Sequence, residues 1–175
     1  MMAVSTPSKD VLQGLSHMHK NGYLHNDIKP ENVLLTINSG LWVLADFGLM
    51  SEGGAATEEG DSRYLAPEIL TSSKPIKASD VCSLGFTLLE VTTGLRLPSG
   101  GVNRDLLIAG RTPSRFFEGK SLALQRVIKK MMDRDPLLRP TFATTTSQKV
   151  EEDELRDLGT SRFIDVSPKK IRRHL

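Results

Sequence analysis

The 175-residue chain has a single cysteine, Cys82. An intrachain disulfide and a multi-cysteine zinc or iron–sulfur site are therefore excluded. This usage fits a reducing compartment, nuclear or cytoplasmic. No stretch approaches the ~18 apolar residues of a spanning helix. The nearest, 81–97, is interrupted by Glu90 and Arg96. The N-terminal MMAVSTPSKD has no apolar signal core, so no membrane segment is expected in this chain. Neither sign of charge dominates: 23 Lys and Arg face 21 Asp and Glu, a net +2. A broad electrostatic grip on nucleic acid is not expected. The 14 glycines never stand two apart, so no G-x-G phosphate cradle occurs.

What is present suits one globular domain, with 38% hydrophobic and 25% charged residues. A chain this long buries roughly two-thirds of its unfolded surface. Val11, Leu12, Leu15 and Met18 recur at helical spacing, and Asn21-Gly22 supplies a stop. The polar stretch 24–32 reads as a loop. Val33-Leu34-Leu35 and Leu41-Trp42-Val43-Leu44, separated by Asn38-Ser39-Gly40, read as a hairpin. Residues 51–62 read as a mobile loop. Val81, Leu84, Gly85, Leu88 and Leu89 form the stripe of a buried helix, with Asp80 as its expected N-cap. Leu124, Val127, Ile128 and Met131 repeat that pattern before Asp135-Pro136. The domain is expected over 1–148, and 149–175 as a charged, flexible tail.

Four motifs stand in order. They are His25-Asn26-Asp27-Ile28-Lys29-Pro30-Glu31-Asn32, then Asp46-Phe47-Gly48 after the hairpin, Arg63-Tyr64-Leu65-Ala66-Pro67-Glu68, and Asp80 opening the buried helix. At these residues the chain resembles the C-terminal lobe of eukaryotic protein kinases over about residues 8–148. The resemblance implies a kinase-like fold, mainly α, with a small β-hairpin carrying the metal-binding loop. It implies ATP and Mg2+ as cofactors. Asp27 matches the base that orients the attacking hydroxyl, and Lys29 the phosphate contact. Asn32 and Asp46 match the magnesium ligands, with Phe47 packed inward. Glu68 and Arg139 match a buried ion pair, Asp80 a support for the catalytic-loop backbone, and His25 a packing residue.

Glu58-Glu59-Gly60-Asp61-Ser62-Arg63-Tyr64 running into Ala66-Pro67-Glu68 looks like the Wee family, which phosphorylates cyclin-dependent kinases and restrains mitosis. The implied partner is a protein substrate, a cyclin-dependent kinase. Asn26 stands where the commonest kinase pattern has an arginine that pairs with an activation-loop phosphate. Activation by Thr57 phosphorylation is therefore not expected, with Glu58, Glu59 and Asp61 as standing charge instead. The family's glycine-rich loop, strand lysine and helix glutamate find no match here. The expectation is a C-terminal lobe only, its N-terminal β-lobe missing and the 175 residues inactive alone. The alternatives are a truncated lobe acting as a protein-binding module, or a portion of a longer product carrying both lobes.

Plainer readings hold elsewhere. His17, His19 and His25 lack a fourth ligand at suitable spacing for a metal. Met131-Met132 reads as core and Trp42 as strand packing. Thr6-Pro7, Thr112-Pro113 and Ser167-Pro168 resemble proline-directed phosphorylation sites, and KKIRR at 169–173 reads equally as a nuclear-import signal or a solvated tail.

Overall fold

A computed structural model describes residues 7–54, 60–72 and 74–141. Helix α1 (Pro7–Lys20) buries Val11, Leu15 and His19 at helical spacing. It stops where Asn21 and Gly22 return hydrogen bonds to the last carbonyls, with Gly22 at φ 84°. Strand β1 (Tyr23–Leu24) follows and pairs antiparallel with β4 (Ser51–Glu52), far along the chain. Between them lies the hairpin of β2 (Val33–Leu35) and β3 (Trp42–Leu44), in register Val33↔Leu44 and Leu35↔Trp42. The Trp42 amide donates to Asp10 at 3.0 Å and ties the hairpin to α1.

Helix α2 (Pro67–Ser72) is short. Helix α3 (Lys77–Thr93) is buried at every position from Ser79 to Leu89, as expected of a helix packed on all sides. Gly94 closes it at φ 69°, its amide bonded to the Glu90 carbonyl at 2.8 Å. Helices α4 (Gly101–Ile108) and α5 (Leu122–Met131) complete the fold. Short 3₁₀ turns cover Pro30–Asn32, Ser114–Phe117 and Pro136–Leu138. Helix α5 buries Leu124, Ile128 and Met131 and is capped by Ser121, whose Oγ accepts from the Leu124 amide. It crosses α3 at Gly85, where a Cβ would lie 2.8 Å from Met132 Cγ and 3.0 Å from Met131 Cβ. Glycine lets the two helices touch there, and the methionine pair is core as expected.

Three expectations need correction. Asp80 is not the N-cap of α3: it stands inside the first turn, and Ile76 occupies the cap. There Ser79 Oγ accepts from the Ile76 amide at 3.2 Å, which leaves the Asp80 carboxylate for other partners. Residues 51–62 are not all loop, because Ser51 and Glu52 find β1 as a partner. Helix α5 ends at Met131, short of Asp135-Pro136, where Met132 turns the chain. The expected tail at 149–175, Thr57, Glu58, Glu59, Thr6 and Ser167 lie outside the described residues. No helix among the described residues is long and apolar enough to cross a membrane.

Candidate active site

The loop after β1 hangs from one buried carboxylate. Asp80, 2% exposed, accepts from the His25 amide at 2.9 Å and the Asn26 amide at 2.9 Å. It also pairs with His19 Nε2 at 2.8 Å. A rigid helix thus carries both amides at the start of the loop. Asn26 takes a left-handed backbone, φ 66°, a conformation Asn tolerates better than most residues. Its side-chain amide donates to the Leu49 carbonyl at 2.7 Å and to Ser51 Oγ at 2.9 Å. The position expected to lack a phosphate-pairing cation is therefore filled by two neutral bonds, one to the Leu49 carbonyl and one to Ser51 of β4.

His25 is fully buried. Its Nδ1 faces the Asp27 amide at 3.3 Å and its Nε2 the Ala45 carbonyl at 3.2 Å. Burial depresses its pKa below the usual imidazole range, against the opposing pull of Asp80. It is a neutral packing residue, as expected.

Asp27 is the hub. Its Oδ2 accepts from Lys29 Nζ at 2.6 Å and from Asn32 Nδ2 at 3.0 Å. Asn32 Nδ2 also donates to the Asp27 carbonyl at 2.8 Å. Partial burial works against the Lys29 ammonium, but its bond to Asp27 outweighs this, helped by the charges of Asp61 and Glu31. The net effect raises its pKa, so it stays charged. On the other oxygen, the Asp61 amide approaches Asp27 Oδ1 at 3.4 Å.

Asn32 and Asp46 meet at the open end of the hairpin. The Ala45 amide donates to the Asn32 carbonyl at 2.9 Å and extends the β2–β3 ladder by one step. Asp46 follows directly, at φ 61°, the kind of sparsely populated backbone that clusters at functional sites. One of its oxygens, Oδ1, receives the Gly48 amide at 3.3 Å. Among the described residues no cluster of three or more His, Cys, Asp or Glu could cage a metal. One carboxylate and one amide oxygen still suit Mg2+, which is typically held by one or two protein oxygens with substrate phosphates completing the shell. The donor set fits a nucleotide-borne magnesium.

Residues 60–68 form the wall beside Asp27. A Cβ on Gly60 would stand 2.7 Å from the Asn26 carbonyl and 3.2 Å from Asp27 Oδ1, so only glycine allows this approach. The Asp61 charge is paired within the wall. Arg63 grips both its oxygens, with Nε at 3.0 Å from Oδ1 and Nη2 at 2.5 Å from Oδ2. Those bonds hold the Asp61 carboxyl below its usual range. Arg63 Nη2 also reaches Glu31 at 3.4 Å. An open cavity of about 490 Å3 lies alongside, lined by Pro30, Glu31, Arg63, Glu90 and Arg96 among others.

The far end of the wall is anchored by Glu68. Arg139 binds it through two parallel bonds, 2.6 and 2.8 Å. Ser79 Oγ adds a third at 2.9 Å. Burial pushes the Glu68 carboxyl up, but the Arg139 bonds overcome this and leave it lowered.

Phe47 is also placed otherwise than expected: it is 49% exposed. Among the described residues the His25 ring meets it at 5.4 Å. The motifs do not by themselves point to the roles of Gly60 and of the Asp61 backbone. Their signal is the glycine between Glu59 and Asp61, which marks a close approach.

The geometry defines a loop-built carboxylate–lysine–amide centre held on a helical lobe. A family model described as protein kinase domain matches residues 3–150. The chain belongs to the protein kinase family. It is 43% identical over 156 residues to the membrane-associated tyrosine- and threonine-specific cdc2-inhibitory kinase wee-1.3 of Caenorhabditis elegans, covering 86% of this chain and 23% of that protein. It is 44% identical over 136 residues to the kinase of the same description from Drosophila melanogaster, covering 75% and 25%. The mitosis inhibitor protein kinase wee1 of Schizosaccharomyces pombe is 31% identical over 158 residues, covering 76% and 18%. The chain thus spans about a quarter or less of the length of these relatives.

Proposed function

We propose that these residues form the lower lobe of a Wee-type protein kinase. Acting with an upper lobe, it transfers the γ-phosphate of ATP to a protein hydroxyl, and its substrate is a cyclin-dependent kinase in the nucleus or cytoplasm. The carrying observation is the bracing of Asp27: Lys29 and Asn32 hold one carboxylate oxygen and the Asp61 amide meets the other.

In this reading Asp27 orients the substrate hydroxyl and accepts its proton as the oxygen attacks the γ-phosphorus. Lys29 offsets charge on the phosphoryl group in transit. Asn32 and Asp46 hold Mg2+, which when bound neutralises phosphate charge. Leu34 and Val43, paired across the hairpin and both exposed beside Asn32, offer an apolar floor for the nucleotide base.

The cyclin-dependent kinase assignment rests on the printed activity of the relatives and on the acidic-glycine segment before Arg63. The chain has no G-x-G, and no strand among the described residues carries a lysine to cover phosphates. We therefore expect the 175 residues alone to fall far below the ~1–100 s⁻¹ of kinases. The test is phosphotransfer to a purified cyclin-dependent kinase by the protein carrying both lobes. Asp27→Asn should lower the rate 10²–10⁴-fold, on the order of one lost general base, with the melting temperature unchanged. Full activity in Asp27→Asn would refute the assignment.

A further inference from the structure

Helix α4 carries a buried arginine that the catalytic reading leaves unused. Arg104 is 3% exposed, yet no carboxylate pairs with it among the described residues. Its Nη2 donates to the Leu65 carbonyl at 2.6 Å. Its guanidinium lies 4.3 Å over the Phe86 ring of α3, while Nε and Nη1 have no partner. A charge held this way is costly. An apolar side chain of the same length would fill the space at lower cost, so the arginine marks a requirement other than stability.

Leu65 shows what that requirement is. It stands four residues after Asp61, whose amide meets Asp27, and three before the anchored Glu68. In the phosphotransfer reading, a polypeptide presenting a hydroxyl to Asp27 lies along this strip, which begins where the Asp61 amide meets Asp27. The strip is fixed by Asp61 at one end and Glu68 at the other. Between them, Asp61 Oδ1 receives the Arg63 amide at 3.0 Å, and Arg104 of α4 holds the Leu65 carbonyl.

We propose that Arg104 is a positioning residue for substrate: by holding the Leu65 carbonyl it sets the height of the strip on which the substrate backbone lies beside the target hydroxyl. This rests on the phosphotransfer reading for its consequence, but the contact itself can be tested without catalysis.

The experiment compares Arg104→Met and Arg104→Lys with the unaltered protein carrying both lobes. Hydrogen exchange is followed over residues 63–66 and over α5. Met keeps the length and the contact with Phe86 but donates nothing; Lys restores a charged donor. The expected result is exchange at least tenfold faster at 63–66 in Arg104→Met, with α5 unchanged and the melting temperature equal or higher. Arg104→Lys should stay within about threefold of the unaltered protein. In phosphotransfer, Arg104→Met should raise KM for the protein substrate about tenfold and leave KM for ATP and kcat within twofold. Should Arg104→Met fail to fold, Arg104→Gln, too short to reach Leu65, takes its place with the same expected reading. Unchanged exchange at 63–66, loosening shared equally with α5, or a Lys variant as loose as Met would each overturn the proposal. A loosened strip in a protein that phosphorylates nothing would uphold the contact and overturn the kinase reading instead.

Discussion

Removing Arg139 is the sharpest test of how the site is held. Its side chain is fully buried and bonds four acceptor atoms. Two are the Glu68 oxygens, at 2.6 and 2.8 Å. The others are the Ala78 carbonyl at 2.8 Å and the Asp133 carbonyl at 2.7 Å. Arg139→Met fills most of the volume but leaves a mostly buried carboxylate without its counter-charge and two carbonyls without a donor. Breaking one side of such a pair typically costs about 3–5 kcal/mol. That is a large part of the ~5–15 kcal/mol available to a domain. Urea denaturation followed by circular dichroism measures it directly. The pH dependence supplies a second check. The native Glu68 carboxyl lies below its usual value, so the pair's contribution is fully present above the ordinary carboxylate pKa of about 4.3. It is lost as pH falls through the lowered native value. Arg139→Met should flatten the fall in stability over that window, because Glu68 then loses the partner that lowered it. A cost under about 1 kcal/mol, or an unchanged acid limb, would refute the claim that this pair anchors the wall.

Three further outcomes follow from the same geometry. Gly60→Ala places a Cβ against the Asn26 carbonyl, so on the proposed reading phosphotransfer should drop at least tenfold, with about 1–3 kcal/mol lost in a thermal melt; unchanged activity would refute the close approach. Asp80→Ala leaves the His25 and Asn26 amides without their acceptor, and at about 1–3 kcal/mol for each buried donor the domain should lose roughly 2–6 kcal/mol in urea; a loss below about 1 kcal/mol would contradict the hub. Asp46→Ala should weaken ATP binding measured with Mg2+ by calorimetry and leave binding in EDTA unchanged; equal weakening in both would show that Asp46 does not serve the metal.

Legibility in the sequence followed the range of the interaction. Helix α3 was plain because its stripe continues unbroken from Val81 to Leu89. The hairpin was plain because a turn separates two apolar runs. Asp27, Lys29, Asn32 and Asp46 were readable as a spaced set, and the fold brings the first three into contact and Asp46 to the same hairpin end. Capping rules misplaced Asp80, because an acid before an apolar run looks local while its partners are 54 and 55 positions away. The β1–β4 pair escaped notice because two-residue strands carry no periodicity and their partners are remote. Phe47 was read as buried from its motif, but exposure depends on what lies opposite. Arg104 gave no signal, since one arginine on a short amphipathic helix reads as solvent-facing until its burial is seen.

Two kinds of contact hold the centre, and they divide by what they touch. Helix α3 supplies the fixed frame. Asp80 suspends the loop after β1, Thr87 Oγ1 reaches the Ile28 carbonyl at 3.3 Å, Ser79 and Ala78 bind the Glu68–Arg139 pair, and Phe86 lies under Arg104. Loops lack stiffness of their own, so their precision is borrowed from this helix. The chain's departures from the commonest kinase pattern fall instead between loops. Asn26 joins the loop after β1 to Leu49 and Ser51, and Arg63 joins Asp61 to Glu31. Neither tie needs a phosphate: one is neutral, and the other is an ion pair whose charges are both built in. An arginine at position 26 would carry an unpaired charge until a phosphate arrived, which makes order depend on modification. With Asn26 the same junction closes on carbonyl and hydroxyl oxygens already present. Asn26→Arg should therefore loosen residues 49–51 rather than strengthen them, seen as faster hydrogen exchange there with α3 unchanged. Equal or slower exchange would show that the neutral tie is not what joins the two loops.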